Sequence, residues 1–216
     1  MIVTVTMNPA LDKTAEVDAL MVGGLNRLAR LRTDPGGKGI NVGKMVAALG
    51  GPVVCTGFAA GQTGRELRLR LDEAGVAHDF LEVLGCTRTN LKILDASGGL
   101  TELNEPGISI YPHDLEALLQ KVLALAGQKG IVVLSGSLPA NAPATAYLGL
   151  TQALRAAGHR VVVDADGGAL AKALNAPPHV IKPNRVELLQ YCGLPEDTPE
   201  EELTRRGAAL LNKGVE

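Results

Sequence analysis

Short β-rich apolar runs alternate with amphipathic helical patterns almost from one end of this 216-residue chain to the other, and no other feature narrows its fold so far. "IVTVT" (residues 2–6), "VVCTGF" (53–58), "IVVLSG" (131–136), "RVVVDA" (160–165) and "HVIKPN" (179–184) are apolar stretches bounded by turn residues, the pattern of strands covered on both faces. Between them, Leu115, Leu118, Leu119, Val122 and Leu123 repeat at helical spacing before Gly127. Val42, Met45, Val46 and Leu49 do the same before Gly50. Repeated βα units predict an α/β fold with a mostly parallel sheet and helices on both sides.

Composition removes several function classes. With 2% aromatic residues, no Trp and a net charge of -2, the chain offers neither a stacking platform nor a basic stripe, so no nucleic-acid partner is expected. No apolar run approaches the ~18 residues of a membrane span, and the N-terminus lacks the basic region of a signal peptide. Three well-separated cysteines, without CxxC spacing, read as buried thiols in a reducing compartment, and the expected location is cytoplasmic. The four histidines show no ligand spacing, which disfavours a zinc site.

Two stretches break the rhythm. Residues 12–33 and 79–105 read as extended segments and hairpins, with a turn at "ASGG", and predict a small projecting sheet placed to act as a lid. After "PEEELTRRGAALLNKG", a helix with acidic residues first and a glycine stop, the alternation calls for another strand, so residues 1–216 read as the N-terminal part of a longer domain.

Chemistry concentrates at turns. In "DPGGKGINV" a glycine cluster holding Lys38 enters a helix, an arrangement that suits an anion or serves only as a turn needing positive φ. The P-loop fingerprint fails, since Arg32 and Gly39 stand where glycine and Ser/Thr are required, and no GxGxxG occurs. Asp12 follows the first strand, where it accepts sugar hydroxyls or forms an Asx turn. Arg27 and Arg88 fall in the lid segments, and Ser135 and Ser137 sit at the mouth of a strand. In "KPNRVEL", Asn184 and Glu187 match a capping box or face the sheet's mouth to organise hydrated Mg2+. Spacing alone does not choose.

Taken in order, "TMNPALD", "GGLNR", "DPGGKGINV", "TRTNLKI", "TELNEPG", "SGSLP" and "KPNRVEL" resemble the PfkB/ribokinase family of carbohydrate kinases across the whole chain, most closely its 1-phosphofructokinase branch, which is related to tagatose-6-phosphate kinase. The resemblance implies a ribokinase-like fold, with residues 1–216 its N-terminal two-thirds, and transfer of phosphate from ATP, with Mg2+, to the C6 hydroxyl of fructose 1-phosphate. It implies that Asp12 and Asn41 hold sugar hydroxyls beside the Gly37, Lys38 and Gly39 backbone. Lys38, Arg88, Arg27 and Ser137 would bind the phosphate already on the sugar, Lys182 and Asn184 would lie by ATP, and Glu187 would orient metal-bound water. The Gly-Ala-Gly-Asp motif with the catalytic base is expected beyond residue 216, so no catalytic residue is assigned within this chain, and these residues alone are expected to be inactive. Asp166 and Gly168 depart from the family pattern on the nucleotide side. Tagatose-6-phosphate kinase, 6-phosphofructokinase, a non-catalytic sugar-phosphate-binding module and a flavodoxin-like phosphate-binding domain are the alternatives. Apolar residues such as Leu91, Ile93 and Leu103 on the lid make it a candidate homodimer surface.

Overall fold

A computed structural model describes residues 1–165 and 167–216; Asp166, noted above, lies outside them. The main sheet is parallel and has six strands: β1 (Ile2–Thr6), β4 (Val53–Ala59), β5 (His78–Glu82), β8 (Ile131–Ser135), β9 (Arg160–Asp164) and β10 (Val180–Ile181). Their spatial order is β10-β9-β8-β1-β4-β5. The second sheet holds β2 (Ala10–Val17), β3 (Arg30–Gly36), β6 (Arg88–Asp95) and β7 (Leu100–Asn104) in the order β3-β2-β6-β7. Residues 79–82, assigned from the sequence to the projecting segment, instead pair with β4 at the edge of the main sheet. The Asp95 carboxylate closes the "ASGG" turn by accepting from the Ser97 hydroxyl and from the Gly99 and Ser97 amides, which holds its pKa below the usual carboxylate value.

Seven α-helices are described: α1 (Lys38–Ala48), α2 (Gly61–Glu73), α3 (Pro112–Ala126), α4 (Ala146–Ala156), α5 (Gly167–Ala173), α6 (Arg185–Cys192) and α7 (Glu200–Ala208). One apolar layer joins Val3, Val5, Val132 and Leu134 of the sheet to Leu118 and Val122 of α3 and Tyr147 and Leu154 of α4. On the other face Ile40 of α1 and Leu67 and Leu71 of α2 cover Cys55 and Phe80. Both faces of the sheet are thus covered, as the near-continuous apolar strands require.

Strand β1 alternates Val toward the α3/α4 layer with Thr4 and Thr6 toward α1, and that alternation governs how closely α1 packs. A Cβ at Gly43 would meet Cys55 Sγ at 2.1 Å, and one at Gly39 would meet the Val5 carbonyl oxygen at 2.8 Å. The buried residues of α1 are therefore Gly39, Ile40 and Gly43. Met45 and Leu49, expected on its apolar face, are 61% and 79% exposed. Only glycine lets a helix approach a strand this closely, so here backbone proximity outweighs side-chain hydrophobicity in setting the helix's rotation. Of the three thiols read as buried, Cys55 is, and burial pushes its pKa up; Cys192 is half-buried and Cys86 exposed.

Gly43→Ala is expected to destabilise the fold by about 1–3 kcal/mol through overpacking. Added to Cys55→Ala, which vacates the colliding sulfur, it should cost less than on its own, as read from urea midpoints.

Candidate functional site

From β1 the chain runs outward to β4 and β5 and then returns to β8 on the opposite side, so the strand order reverses between β1 and β8. In an open parallel sheet, that reversal leaves a crevice at the carboxyl ends of the two strands. The N-terminus of α1 enters it. Gly37 has φ 125°, and a Cβ there would lie 2.7 Å from the Thr6 methyl, so the turn requires glycine. Among the described residues no side chain caps α1, whose N-cap is Gly37, and its first amides turn to the crevice with the positive end of the helix dipole.

Lys38, the first residue of α1, extends its ammonium toward β9 and α6. Its Nζ lies 3.0 Å from Glu187 Oε1 and 3.5 Å from Asp164 Oδ1. Lys182 Nζ lies 3.4 Å from the same Asp164 oxygen, and Ser135 Oγ donates to Asp164 Oδ2 at 3.3 Å. Both carboxylates are more than nine-tenths buried, so the lysines supply the positive charge that their desolvation demands.

Glu187 serves two ends at once. Its Oε2 accepts from the Asn184 amide and Asn184 Oδ1 accepts from the Glu187 amide, both at 2.8 Å, a complete capping box at the start of α6. The other carboxylate oxygen faces Lys38. Of the two readings left open by the sequence, the structure thus bears out the capping box.

On the opposite side of Lys38, Asn41 and Lys44 continue one stripe of α1 toward the polar face of the second sheet. Together with Asp12, Arg32 and Lys92 they line a cavity of about 310 Å3. Asp12 accepts from Asn90 Nδ2 at 2.9 Å, and Lys92 Nζ lies 3.8 Å from its other oxygen. A Cβ at Gly36 would strike this carboxylate at 2.5 Å, so the strand opposite is pressed against it. With Asp34, which pairs with Arg32, the wall holds two carboxylates, an amide, a guanidinium and two ammonium groups, a partly open polar surface that suits a polyhydroxylated ligand.

Arg88, at the start of β6, donates from Nη2 to Ser137 Oγ at 3.5 Å, bridging the small sheet to the mouth of β8. Arg27 is placed elsewhere. It lies in the loop between β2 and β3, past the Glu16–Arg30 pair, whereas Arg88 pairs with Ala10. Six strand positions separate these levels, about 20 Å of extended chain.

The profile of the pfkB family of carbohydrate kinases matches residues 5–216. This chain belongs to that family. The carbohydrate kinase is 37% identical over 216 residues to the 1-phosphofructokinase of Vibrio cholerae, covering all of this chain and 68% of the relative. It is 38% identical over 217 residues to that of Bacillus subtilis, covering 100% and 70%. Among solved structures it superposes on Escherichia coli phosphofructokinase-2 in complex with fructose-6-phosphate with a TM-score of 0.91, at 30% identity over 99% of this chain and 70% of that one. A tetrameric inhibited form of the same protein gives the same score at 31% identity, with the same coverage. The fold is ribokinase-like. No described helix of the kinase is long and apolar enough to cross a membrane, and among the described residues no three His, Cys, Asp or Glu side chains are grouped to hold a metal ion.

Sequence reading missed Asp164, Asn90 and Lys92 of this kinase. Asp164 ends an apolar strand, where an acid is unexpected, and Asn90 and Lys92 alternate onto the face of Asp12; both are patterns visible in the sequence. Comparing Glu187→Gln with Glu187→Ala separates the two jobs of Glu187. Glutamine keeps a capping oxygen and loses the charge facing Lys38. The alanine variant should therefore be the less stable of the two by about 1 kcal/mol in chemical denaturation, the share of the cap.

Proposed function

We propose that this carbohydrate kinase transfers phosphate from ATP to a ketose phosphate, and that fructose 1-phosphate is its preferred acceptor. The reading is carried by α1. One stripe of that helix carries both Lys38, whose ammonium faces the carboxylates of Asp164 and Glu187 beside Lys182, and Asn41, which lines the polar cavity with Asp12. A charged cluster and a polar cavity carried side by side on one helix suit phosphoryl transfer, where positioning and neutralisation of charge supply most of the catalysis. The names of the Vibrio and Bacillus relatives favour fructose 1-phosphate.

In this reading Asp12 and Asn41 hold sugar hydroxyls and the Gly37 and Gly39 backbone lies beside them. Arg88 and Ser137 bind the phosphate already on the sugar. Lys38 was expected from the sequence to share that task; its contacts with Glu187 and Asp164 support a different role in this reading, on the phosphoryl group in transit. Lys182 and the N-terminus of α6, capped by Asn184, lie on the ATP side. The hard oxygen donors of Asp164 and Glu187 fit Mg2+ and its water shell, and the bound ion would neutralise charge on the phosphates.

Arg27 reaches a sugar phosphate in this reading only across a subunit interface. The second sheet turns Leu31, Leu91 and Leu103 outward on the face opposite Asp12, and Leu31 and Leu103 are 52% and 56% exposed. Pairing of two such faces would cover them and bring each Arg27 loop near its partner. This extends the homodimer expectation, and the tetrameric form of the Escherichia coli neighbour supports self-association within this fold.

Protein expressed from the complete reading frame, assayed with MgATP, should favour fructose 1-phosphate over tagatose 6-phosphate and fructose 6-phosphate by at least about tenfold in kcat/KM. Preference for another ketose phosphate would overturn the specificity. Binding without turnover of any of them would favour a non-catalytic sugar-phosphate module.

A further inference from the structure

The phosphate pocket just described is split between two sheets, since Arg88 belongs to the small sheet and Ser137 to the mouth of the main one. Their mutual hydrogen bond is long at 3.5 Å, and that from Arg88 Nη1 to the Glu105 carbonyl is 3.4 Å. Beyond its polar contacts, the long aliphatic stem of Arg88 is shaped by what packs around it. On one side Thr87 anchors the start of β6 to the main sheet, donating its amide to the Ala60 carbonyl and accepting the Ala60 amide at its hydroxyl. On the other side stands the segment "EPG" that follows β7. It is tied to β6 by Glu105, whose Oε2 accepts from the Thr89 amide at 2.8 Å.

Asn8, two residues past the end of β1 and 5% exposed, reaches this segment from the main sheet and donates from Nδ2 to the Pro106 carbonyl at 3.2 Å. Its Oδ1 is buried with no hydrogen-bond donor among the described residues. Next to it Gly107 has φ 94°, and a Cβ there would lie 2.1 Å from Asn8 Oδ1 and 3.2 Å from Arg88 Cδ. An amide held in the interior with one end unsatisfied is unfavourable for stability, and a left-handed glycine wedged between that amide and an arginine stem forms a tight wall. Neither feature is needed to complete a strand or cap a helix.

We propose that Asn8 and Gly107 are positioning residues that lock the turn after β1 to the turn after β7 and so hold the Arg88 guanidinium facing Ser137. This rests on the sugar-phosphate kinase reading and adds to it two residues that touch no substrate. Asn8 ties the pocket's two halves together, and Gly107 lets the tie lie flat against the arginine stem. Loosening either lets Arg88 adopt other rotamers, which weakens binding of the acceptor's phosphate and leaves the ATP side untouched.

The test uses protein from the complete reading frame with the ketose phosphate that the wild type turns over fastest, among fructose 1-phosphate, tagatose 6-phosphate and fructose 6-phosphate. Asn8→Ala and Gly107→Ala should each raise KM for that sugar on the order of tenfold, while KM for ATP stays within about twofold. Each should also shrink the rise in melting temperature that the sugar phosphate gives the wild type. In the double variant the new methyl occupies space vacated by the amide, so its KM should fall short of the product of the single effects. Unchanged KM for the sugar phosphate in Asn8→Ala, or parallel rises in both KM values, would overturn the proposal. Absence of wild-type turnover on all three sugars would remove the kinase reading, and this proposal with it.

Discussion

The charge cluster in which Lys38 faces Glu187 and Asp164 is the interaction on which the rest of the site depends. Two carboxylates sit almost fully out of water, which is unfavourable unless cations face them, and Lys38 and Lys182 do so from different elements. The cluster joins α1, β9 and α6, so the site is assembled only when all three occupy their places. Lys38 reaches it because the glycine turn seats α1 directly on the end of β1, where Gly37 and Gly39 leave no Cβ against Thr6. The same close packing that gives the fold its tightest helix–sheet contact thus sets the position of the central cation.

The small sheet divides its work between its faces. Alternation along β2 and β6 puts Asp12, Asn90 and Lys92 over the cavity and sends Lys13, Leu91 and Ile93 the other way. The polar face carries the residues proposed for the acceptor, while the other face leaves Leu31 and Leu103 exposed. Within one chain Arg27 stands apart from that polar face, in the loop beyond the Glu16–Arg30 pair.

Much of this was legible in the sequence. The five apolar runs became strands, although "HVIKPN" yielded only the two residues Val180 and Ile181, because Pro183 and the cap at Asn184 turn the chain into α6. The rotation of α1 was not legible. Apolar spacing pointed to Met45 and Leu49, whereas the burial of Gly39 and Gly43 comes from how near the sheet lies, which no local pattern carries. The partners of Lys38 were hidden for a related reason: they lie 126 and 149 residues away, and only the topology brings them together. Of the two open readings of Glu187 the capping box holds on one oxygen, while the other faces Lys38, a partner that spacing gave no sign of.

The most direct measurement of the central claim is the steady-state kinetics of Lys38→Ala in the protein from the complete reading frame. An ammonium acting on the phosphoryl group in transit predicts a fall in kcat of at least about a hundredfold, with KM for the ketose phosphate changed much less. A variant that keeps its kcat and loses only affinity for the sugar phosphate would contradict the account, because Lys38 would then belong with Arg88 and Ser137 at the acceptor's own phosphate.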